Sequence, residues 1–258
     1  MTRAAPASSL TWDLLVEPDG RSGAANMARD QALLEDADRA GGATLRLYRW
    51  TPPCLSFGRH EPATRRYDRA RVEQLGLDVV RRPTGGRAVW HEQEVTYAVA
   101  APVNVFGSLR AAYHAIHARL AAALCSLGAD ASLAPDRPTA RAADRSGSCF
   151  DAPTGGEVLV AGRKVIGSAQ VQHGRAFLQH GSILLDGTQQ VIQAVSRQQS
   201  AVGGSTTLAA VLSRPVTFRQ VVDAIIRTWG EGLAPTGSDR PLPPPPTAFL
   251  DPAWTWRR

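Results

Sequence analysis

Lysine is almost absent from this sequence. Of the 29 basic residues only Lys164 is a lysine, and the others are arginines. An arginine keeps its charge at any working pH, whereas burial and neighbouring groups can tune the charge of a lysine amine. Lys164 is therefore either a stray surface cation or an amine with a chemical task. Its position within the most motif-like segment of the chain favours the second interpretation.

Cysteine is scarce too. Three residues, Cys54, Cys125 and Cys149, lie at scattered spacing, which argues against a disulfide framework. The sequence has no CxxC or HxxxH spacing, so we expect no zinc or other metal site. Cys54 starts an apolar strand and Cys125 belongs to an apolar helix, so we expect both in the core. Cys149 follows a polar loop rich in arginine and is either a nucleophile or a buried filler.

No apolar run approaches the length of a membrane span, and the first residues lack the apolar stretch of a secretory signal. We therefore expect a cytoplasmic protein with no membrane partner. The net charge of +6 suits either nucleic acid or an acidic protein. Because no helix-turn-helix, zinc finger or basic–aromatic strand accompanies it, we expect an acidic protein partner and no nucleic acid.

The hydrophobic periodicity predicts mixed helices and strands without strict alternation. Helices are expected at 23–40, 68–75, 108–127 and 217–230, and strands at 10–17, 44–50, 54–58, 77–82, 88–91, 95–101 and 177–185, with a hairpin over 157–169. This pattern predicts an α+β fold with a mixed or mostly antiparallel sheet flanked by helices. We expect one catalytic domain over residues 10–235. A proline-rich tail over 236–258 should lie extended on its surface.

A glycine-containing segment, RRPTGGRAVWH at 81–91, follows a predicted strand. Its glycines allow a ligand to approach the backbone closely, and its arginines add positive charge. The alternative is a tight turn with solvated arginines. The candidate substrate-binding residues in this segment are Arg81, Thr84, Gly85, Gly86 and His91.

Two further segments hold candidate residues. In GRKVIGSA at 162–169, small Gly167, Ser168 and Ala169 leave a thin slot beside Lys164, which suits an acyl chain; the alternative is an edge-strand lysine. In QHGS at 179–182, the His180–Gly181 pair either meets a substrate or satisfies a hydrogen bond of the core.

Taken in order, these segments and CFDAP at 149–153 resemble the biotin/lipoate ligase and acyltransferase superfamily over nearly the whole chain. Within it, the sequence is most similar to the cysteine-dependent octanoyltransferases of lipoate biosynthesis. The resemblance implies the biotin/lipoate protein ligase catalytic-domain fold. It implies Cys149 as acyl-carrying nucleophile, Lys164 as second catalytic group, and no cofactor.

The same resemblance implies the partners. The donor would be octanoyl acyl-carrier protein. The acceptor would be a lysine of an apo lipoyl domain, such as glycine cleavage H protein or a 2-oxoacid dehydrogenase E2. Three alternatives stay open: an ATP-dependent lipoate–protein ligase, an amidotransferase acting between lipoyl domains, and a non-catalytic acyl- or biotin-binding protein.

Overall fold

The computed structural model describes residues 11–135, 155–198, 205–230, 232–236 and 247–257. Strands are β1 (Trp12–Arg21), β2 (Ala43–Trp50), β3 (Cys54–Phe57), β4 (Asp78–Arg81), β5 (Val89–His91), β6 (Glu94–Pro102), β7 (Ala131–Leu133), β8 (Val158–Val160), β9 (Arg163–Lys164), β10 (Ile166–His173), β11 (Ala176–Leu184) and β12 (Leu233–Pro235). Helices are α1 (Gly23–Ala40), α2 (Ala63–Arg66), α3 (Arg69–Gln74), α4 (Leu109–Ser126), α5 (Gln190–Val195), α6 (Leu208–Leu212), α7 (Phe218–Trp229) and α8 (Pro252–Thr255). Short 3₁₀ turns cover Val103–Val105 and Thr247–Leu250.

A six-stranded mixed sheet forms the centre of the fold, in the order β10-β11-β6-β2-β1-β12. The pairs β1–β2 and β1–β12 are parallel, and the other pairs are antiparallel. The predicted mixed sheet flanked by helices is confirmed.

The alternation of β2 places one apolar layer on each face of this sheet. Leu45 and Leu47 pack in the cluster that contains α4 and α7. Tyr48 packs in the cluster that contains α1. Because successive strand residues point to opposite faces, one short strand serves both layers. The sheet is therefore covered on both sides, and some of its polar side chains, such as Arg46 and Gln179, are buried along with the apolar ones.

Helix α1 has clear end signals in the sequence. The Ser22 side chain accepts a hydrogen bond from the Ala25 backbone N–H, and Gly41 closes the helix in the left-handed region at φ 78°. These signals fix the ends of α1, and its buried face carries Asn26 and Asp30.

Two three-stranded sheets flank the large one, in the orders β4-β3-β5 and β7-β8-β9. The predicted hairpin at 157–169 corresponds to the antiparallel pair β8–β9, but this pair ends at Lys164 and does not continue to residue 169. The chain leaves the small sheet after Lys164 and enters the large sheet at Ile166. Lys164 consequently stands at the junction of the two sheets.

Two other sequence expectations need correction. Cys125 is exposed, because it lies on the outer side of α4, where its thiol donates to the Ala131 carbonyl at 3.3 Å. The end of the expected extended tail is folded: Phe249 and Trp256 are buried against the domain. Cys54 is fully buried, as expected, and burial raises the pKa of its thiol well above the ordinary value.

None of the helices in the described part of the chain combines the length and the apolar character that a bilayer span requires.

Candidate active site

A narrow pocket opens between α1, the end of β2, and the strands β5, β10 and β11. Its wall combines aromatic and apolar side chains with small residues and a few polar groups. The lining residues are Met27, Tyr48, Trp50, Arg82, Val89, His91, Thr96, Gly167, Ser168, Ala169, His180, Gly181 and Ser182. Six of the predicted substrate-binding residues, His91, Gly167, Ser168, Ala169, His180 and Gly181, lie together in this wall.

The small residues of β10 and β11 are required by close packing. A Cβ on Gly181 would lie 2.5 Å from the Ser168 hydroxyl and 2.6 Å from the Gly167 carbonyl. No side chain fits there, so the two strands approach closely at the pocket and leave a narrow space.

The arginine pair of the glycine-containing segment divides between two roles. The Arg82 side chain lines the pocket and donates to the carbonyls of Gly85 and Arg87 at 3.0 and 2.8 Å, which shapes the loop. Arg81 points elsewhere: its buried guanidinium donates to the carbonyl of Thr255 at 2.9 Å and to that of Gly58 at 2.6 Å. The geometry therefore places Arg81 in structural support of the segment, away from the pocket lining.

His180 is held by hydrogen bonds on both ring nitrogens. Nε2 lies 2.6 Å from the Thr84 hydroxyl, and Nδ1 lies 2.8 Å from the Asp30 carboxylate. Asp30 also accepts from Tyr48 and from Arg46, at 2.9 and 2.6 Å. Burial opposes ionisation of Asp30, but the Arg46 cation and His180 keep the pKa of the carboxyl below its ordinary value. Of the two interpretations of His180, the satisfied core hydrogen bond is the one observed, with the ring forming part of the wall.

His91 is fixed in the same manner at another part of the wall. Its Nε2 lies 2.6 Å from the Ser56 hydroxyl and its Nδ1 lies 2.8 Å from the Glu94 carboxylate. Its ring stacks on Trp50 at a centroid distance of 3.9 Å, and the Trp50 N–H donates to Thr96 at 2.7 Å. These contacts make a rigid aromatic wall.

Ser168 belongs to a second buried cluster at the pocket. Its hydroxyl lies 2.6 Å from the Tyr97 hydroxyl and 2.8 Å from Nε2 of His117. Nδ1 of His117 lies 2.7 Å from the Gly156 carbonyl. The Gln179 amide donates to the Tyr97 hydroxyl at 2.8 Å.

Lys164 is buried, with 2 % of its surface exposed. Its ammonium donates to the Glu157 carboxylate at 2.6 Å. Lys164 does belong to an edge strand, β9 of the sheet β7-β8-β9, but its side chain is buried and does not face solvent as the edge-strand alternative requires. Burial, with a smaller contribution from the Lys164 charge, lowers the pKa of His117 to about 4.

Sequence reasoning did not single out Asp30, His117 or Glu157. For Asp30 and His117, the position in the sequence indicated a buried side chain. Asp30 lies at helical spacing from buried Asn26 and Leu34, and His117 lies one turn after Tyr113 on the apolar side of α4. Cys149 lies outside the described residues, as do the rest of the CFDAP segment and the proline run at 241–246. Among described residues, no group of three or more His, Cys, Asp or Glu is placed to hold a metal ion.

The model of the lipoyl protein ligase A/B catalytic domain matches residues 22–230 of the chain. The chain belongs to this family. Octanoyltransferase LipM of Kyrpidia tusciae is 38% identical over 240 residues, which cover 86% of this chain and 87% of that relative. Octanoyltransferase LipM of Carboxydothermus hydrogenoformans is 45% identical over 168 residues, but this match spans only 64% of this chain and 61% of that relative.

Solved structures show the same fold for this family member. A lipoate-protein ligase A bound with ATP aligns with a TM-score of 0.71 at 20% identity, over 88% of this chain and 89% of that one. The P. falciparum LipL1 complex with lipoate aligns with a TM-score of 0.72 at 15% identity, over 96% of this chain and 74% of that one. At such identities the likeness concerns the fold alone.

Proposed function

We propose that this protein is an octanoyltransferase that carries the acyl group as a thioester on Cys149 and passes it to a lysine of a lipoyl domain. Its family membership and its likeness to relatives named octanoyltransferase support this proposal. The observation that carries it is the narrow pocket lined by Gly167, Ser168 and Ala169, which follow Lys164 closely in the chain. A narrow pocket with apolar side chains and small residues in its wall suits an unbranched acyl chain.

Lys164 supports the acyl-transfer chemistry through its charge. A buried ammonium held by Glu157 at 2.6 Å is a fixed cation at the sheet junction. A cation next to a thiol favours the thiolate, which is the nucleophilic form. We assign Lys164 the task of promoting the Cys149 thiolate and of stabilising that thiolate again when it leaves.

The reaction proceeds in two halves. In the first, the Cys149 thiolate attacks the carbonyl carbon of the donor thioester, a new C–S bond forms, and the donor thiolate departs. In the second, the acceptor lysine amine attacks the acyl-Cys149 thioester, a C–N bond forms, and the Cys149 thiolate departs. Because a thioester is exchanged for a more stable amide, no nucleotide is consumed.

The proposed donor is octanoyl acyl-carrier protein. The acceptor class is the apo lipoyl domain, exemplified by glycine cleavage H protein or the E2 subunit of a 2-oxoacid dehydrogenase. The proposed substrate contacts are the pocket residues together with the loop at Thr84, Gly85 and Gly86. Arg81 supports this loop from behind.

The deciding experiment incubates the protein with octanoyl carrier protein and an apo lipoyl domain, without nucleotide, and measures intact masses. We expect a covalent octanoyl adduct on the protein and an octanoylated lipoyl domain. The change Cys149→Ser should abolish both products, because the alcohol is a far weaker nucleophile than the thiolate. Cys125→Ser is the matched control, since Cys125 is exposed on α4 and should be dispensable.

A thioester adduct that survives Cys149→Ser would refute the assignment of the nucleophile. Transfer that requires ATP and free octanoate or lipoate, with no protein adduct, would make the protein a ligase. Transfer from an octanoylated lipoyl domain, with none from the carrier protein, would make it an amidotransferase.

A further inference from the structure

Three polar side chains of the pocket wall donate their hydrogens to protein atoms. The Trp50 N–H donates to the Thr96 hydroxyl at 2.7 Å. The Thr96 hydroxyl donates in turn to Oε1 of Glu94, and the Ser182 hydroxyl donates to the same oxygen at 2.9 Å. Trp50, Thr96 and Ser182 all line the pocket. These three hydrogens are therefore bonded within the protein and are not offered to a molecule in the pocket.

His91, a fourth residue of the wall, also donates to Glu94. Arg82 donates to the Ser56 hydroxyl at 2.6 Å, so the hydrogen of that hydroxyl needs another acceptor. Ser56 is fully buried, and in the described part of the chain Nε2 of His91, at 2.6 Å, is the only acceptor that its hydroxyl contacts. Nε2 therefore carries no hydrogen, and Nδ1 carries the one that His91 donates to Oε1 of Glu94 at 2.8 Å.

A second buried carboxylate, Asp30, accepts from two more residues of the wall. The Tyr48 hydroxyl donates to it at 2.9 Å, and Nδ1 of His180 donates to it at 2.8 Å. Burial lowers the pKa of His180, so its ring is neutral near pH 7 and Nε2 accepts from the Thr84 hydroxyl at 2.6 Å. The two carboxylates thus accept hydrogens from five side chains of the wall: Tyr48, His91, Thr96, His180 and Ser182.

The two carboxylates differ in how well they are satisfied themselves. Both oxygens of Asp30 accept hydrogen bonds, since Arg46 donates to Oδ1 at 2.6 Å. Glu94 accepts all its donors on Oε1, and its buried Oε2 has no hydrogen-bond partner among the described residues. Burying a carboxylate oxygen without a donor is unfavourable. The clear effect of Glu94 is therefore on the wall residues that donate to it.

The direction of these hydrogens decides which molecules the pocket suits. A saturated acyl chain cannot accept a hydrogen bond, so a wall hydrogen that faced it would lose water and gain no partner. A wall whose hydrogens are bonded elsewhere avoids this cost. A chain that carries a hydroxyl group finds no donor in such a wall and loses its own hydration on binding.

We propose that Glu94 is a positioning residue that makes the pocket selective for an unsubstituted acyl chain, because it accepts the wall hydrogens that would otherwise face the chain. This inference rests on the octanoyltransferase function proposed above. Glu94 and Thr96 lie two positions apart on β6, so both side chains point to the pocket face of the sheet. Glu94 acts through His91, Thr96 and Ser182 and needs no contact with the acyl group.

The test compares donors that differ by one hydroxyl group. Carrier protein is loaded with octanoate or with an octanoate that has a hydroxyl on carbon 6, 7 or 8, so that the depth at which the chain stops does not matter. We expect the wild-type protein to prefer octanoyl by about 100-fold in kcat/KM for at least one hydroxyl position. A wild-type protein that uses all four donors equally, or that prefers a hydroxylated one, overturns the inference.

The change Glu94→Gln keeps the size of the side chain but replaces the carboxylate with a weaker acceptor that has hydrogens of its own. We expect KM for the octanoyl donor to rise about tenfold, kcat to stay within threefold, and the preference over the hydroxylated donors to fall about tenfold. A purely structural defect would lower kcat through loss of folded protein and leave KM and the preference unchanged.

Asp78→Asn is the matched control. Asp78 is a carboxylate of the neighbouring strand β4 that accepts from the Gly23 N–H at 2.8 Å, and it does not line the pocket. Its removal should leave KM and the preference at the wild-type values. An equal effect of Asp78→Asn and Glu94→Gln contradicts a specific role for Glu94.

A second change should partly rescue the first. Ser182→Ala in the Glu94→Gln protein removes one of the hydrogens that Glu94 no longer accepts, so KM for octanoyl should recover at least threefold. No recovery contradicts the proposed mechanism. If the Glu94→Gln protein does not fold, the wild-type preference among the four donors decides.

A measurement without acyl chemistry separates this inference from the proposed function. Nitrogen NMR of the histidine rings near pH 7 should show His91 protonated on Nδ1 and unprotonated on Nε2. The opposite tautomer or a charged ring overturns the hydrogen-bond directions on which the inference depends, whatever the reaction. A protein with the expected tautomer that forms no octanoyl adduct and octanoylates no lipoyl domain contradicts the octanoyltransferase function instead.

Discussion

At the scale of single residues, buried titratable groups make stability depend on pH. Burial lowers the pKa of His117 to about 4 and lowers the pKa of His180 as well. An unfolded histidine titrates near 6.5, so below that pH the unfolded chain binds protons that the folded one does not. Stability is therefore full above about pH 6.5 and decreases as the pH falls towards 4.

We predict that His117 alone contributes about 3 kcal/mol to this decrease, since one pKa unit corresponds to about 1.4 kcal/mol. Urea unfolding between pH 7 and pH 4 measures it. The change His117→Gln should flatten the slope of unfolding free energy against pH, because it removes the group whose pKa burial lowers in the folded protein. An unchanged slope in His117→Gln would show that His117 is charged in the folded protein.

At the residue level, the sequence predicted residues that line the pocket but did not predict the buried groups that form hydrogen bonds to them. The sole lysine and the small residues at 167–169 were found because their chemistry or size is rare in context. Asp30 and His117 were missed because each pairs with a partner far along the chain: His180 lies 150 positions from Asp30, and Ser168 lies 51 positions from His117. Periodicity shows that such a side chain is buried, but not which partner satisfies it.

At the scale of elements, the folded end of the chain stabilises the glycine-containing segment. The carbonyls of Trp254, Thr255 and Arg257 all accept from the Arg81 guanidinium. Trp256 packs edge-on against Phe57 at 5.3 Å between ring centroids. A buried cation that loses such partners is costly.

Removal of residues 247–258 should therefore destabilise the whole fold. The truncation removes two buried side chains, Phe249 and Trp256, each of which stabilises the fold by about 2 kcal/mol through apolar burial. The loss of the carbonyl groups that accept from Arg81 lowers the stability further. We predict a fall of about 10 °C in the melting temperature. Leu250→Ala is the control, because Leu250 is 68% exposed and should leave the melting temperature within about 1 °C. A truncated protein with the same melting temperature as the full chain would contradict this stabilising role of the contacts with Arg81.

The long elements were predictable, and the short ones were not. Helices α1 and α4 have serine caps and sustained apolar spacing, and both were predicted within a residue or two. Helix α8 has four residues and follows a proline-rich stretch, so no periodic signal distinguishes it from a tail. The sequence did not predict that one strand ends at Lys164 and the next begins at Ile166. This boundary depends on which sheet each residue hydrogen-bonds to, and that is a property of the tertiary structure.

At the scale of the molecule, the net charge of +6 is distributed unevenly. Exposed arginines cluster on and around α2 and α3, namely Arg59, Arg65, Arg69 and Arg71. Of these, Arg69 is paired with Glu73 at 2.8 Å. Such a surface increases the rate of encounter with an acidic partner, and salt weakens the attraction because the screening length is about 10 Å at 0.1 M.

We predict that kcat/KM for octanoyl carrier protein decreases with ionic strength and that the double change Arg65→Gln and Arg71→Gln reduces both its value and its salt dependence. Each exposed charge contributes under about 1 kcal/mol, so a loss of about three- to tenfold is expected at low salt. Arg227→Gln removes an exposed charge from another helix, α7, and serves as the control. Since surface charges act on encounter, the single-turnover rate within the octanoyl-Cys149 protein at saturating acceptor should not change. If Arg227→Gln lowers kcat/KM as much as the double change does, the net charge and not the α2–α3 surface guides the partner.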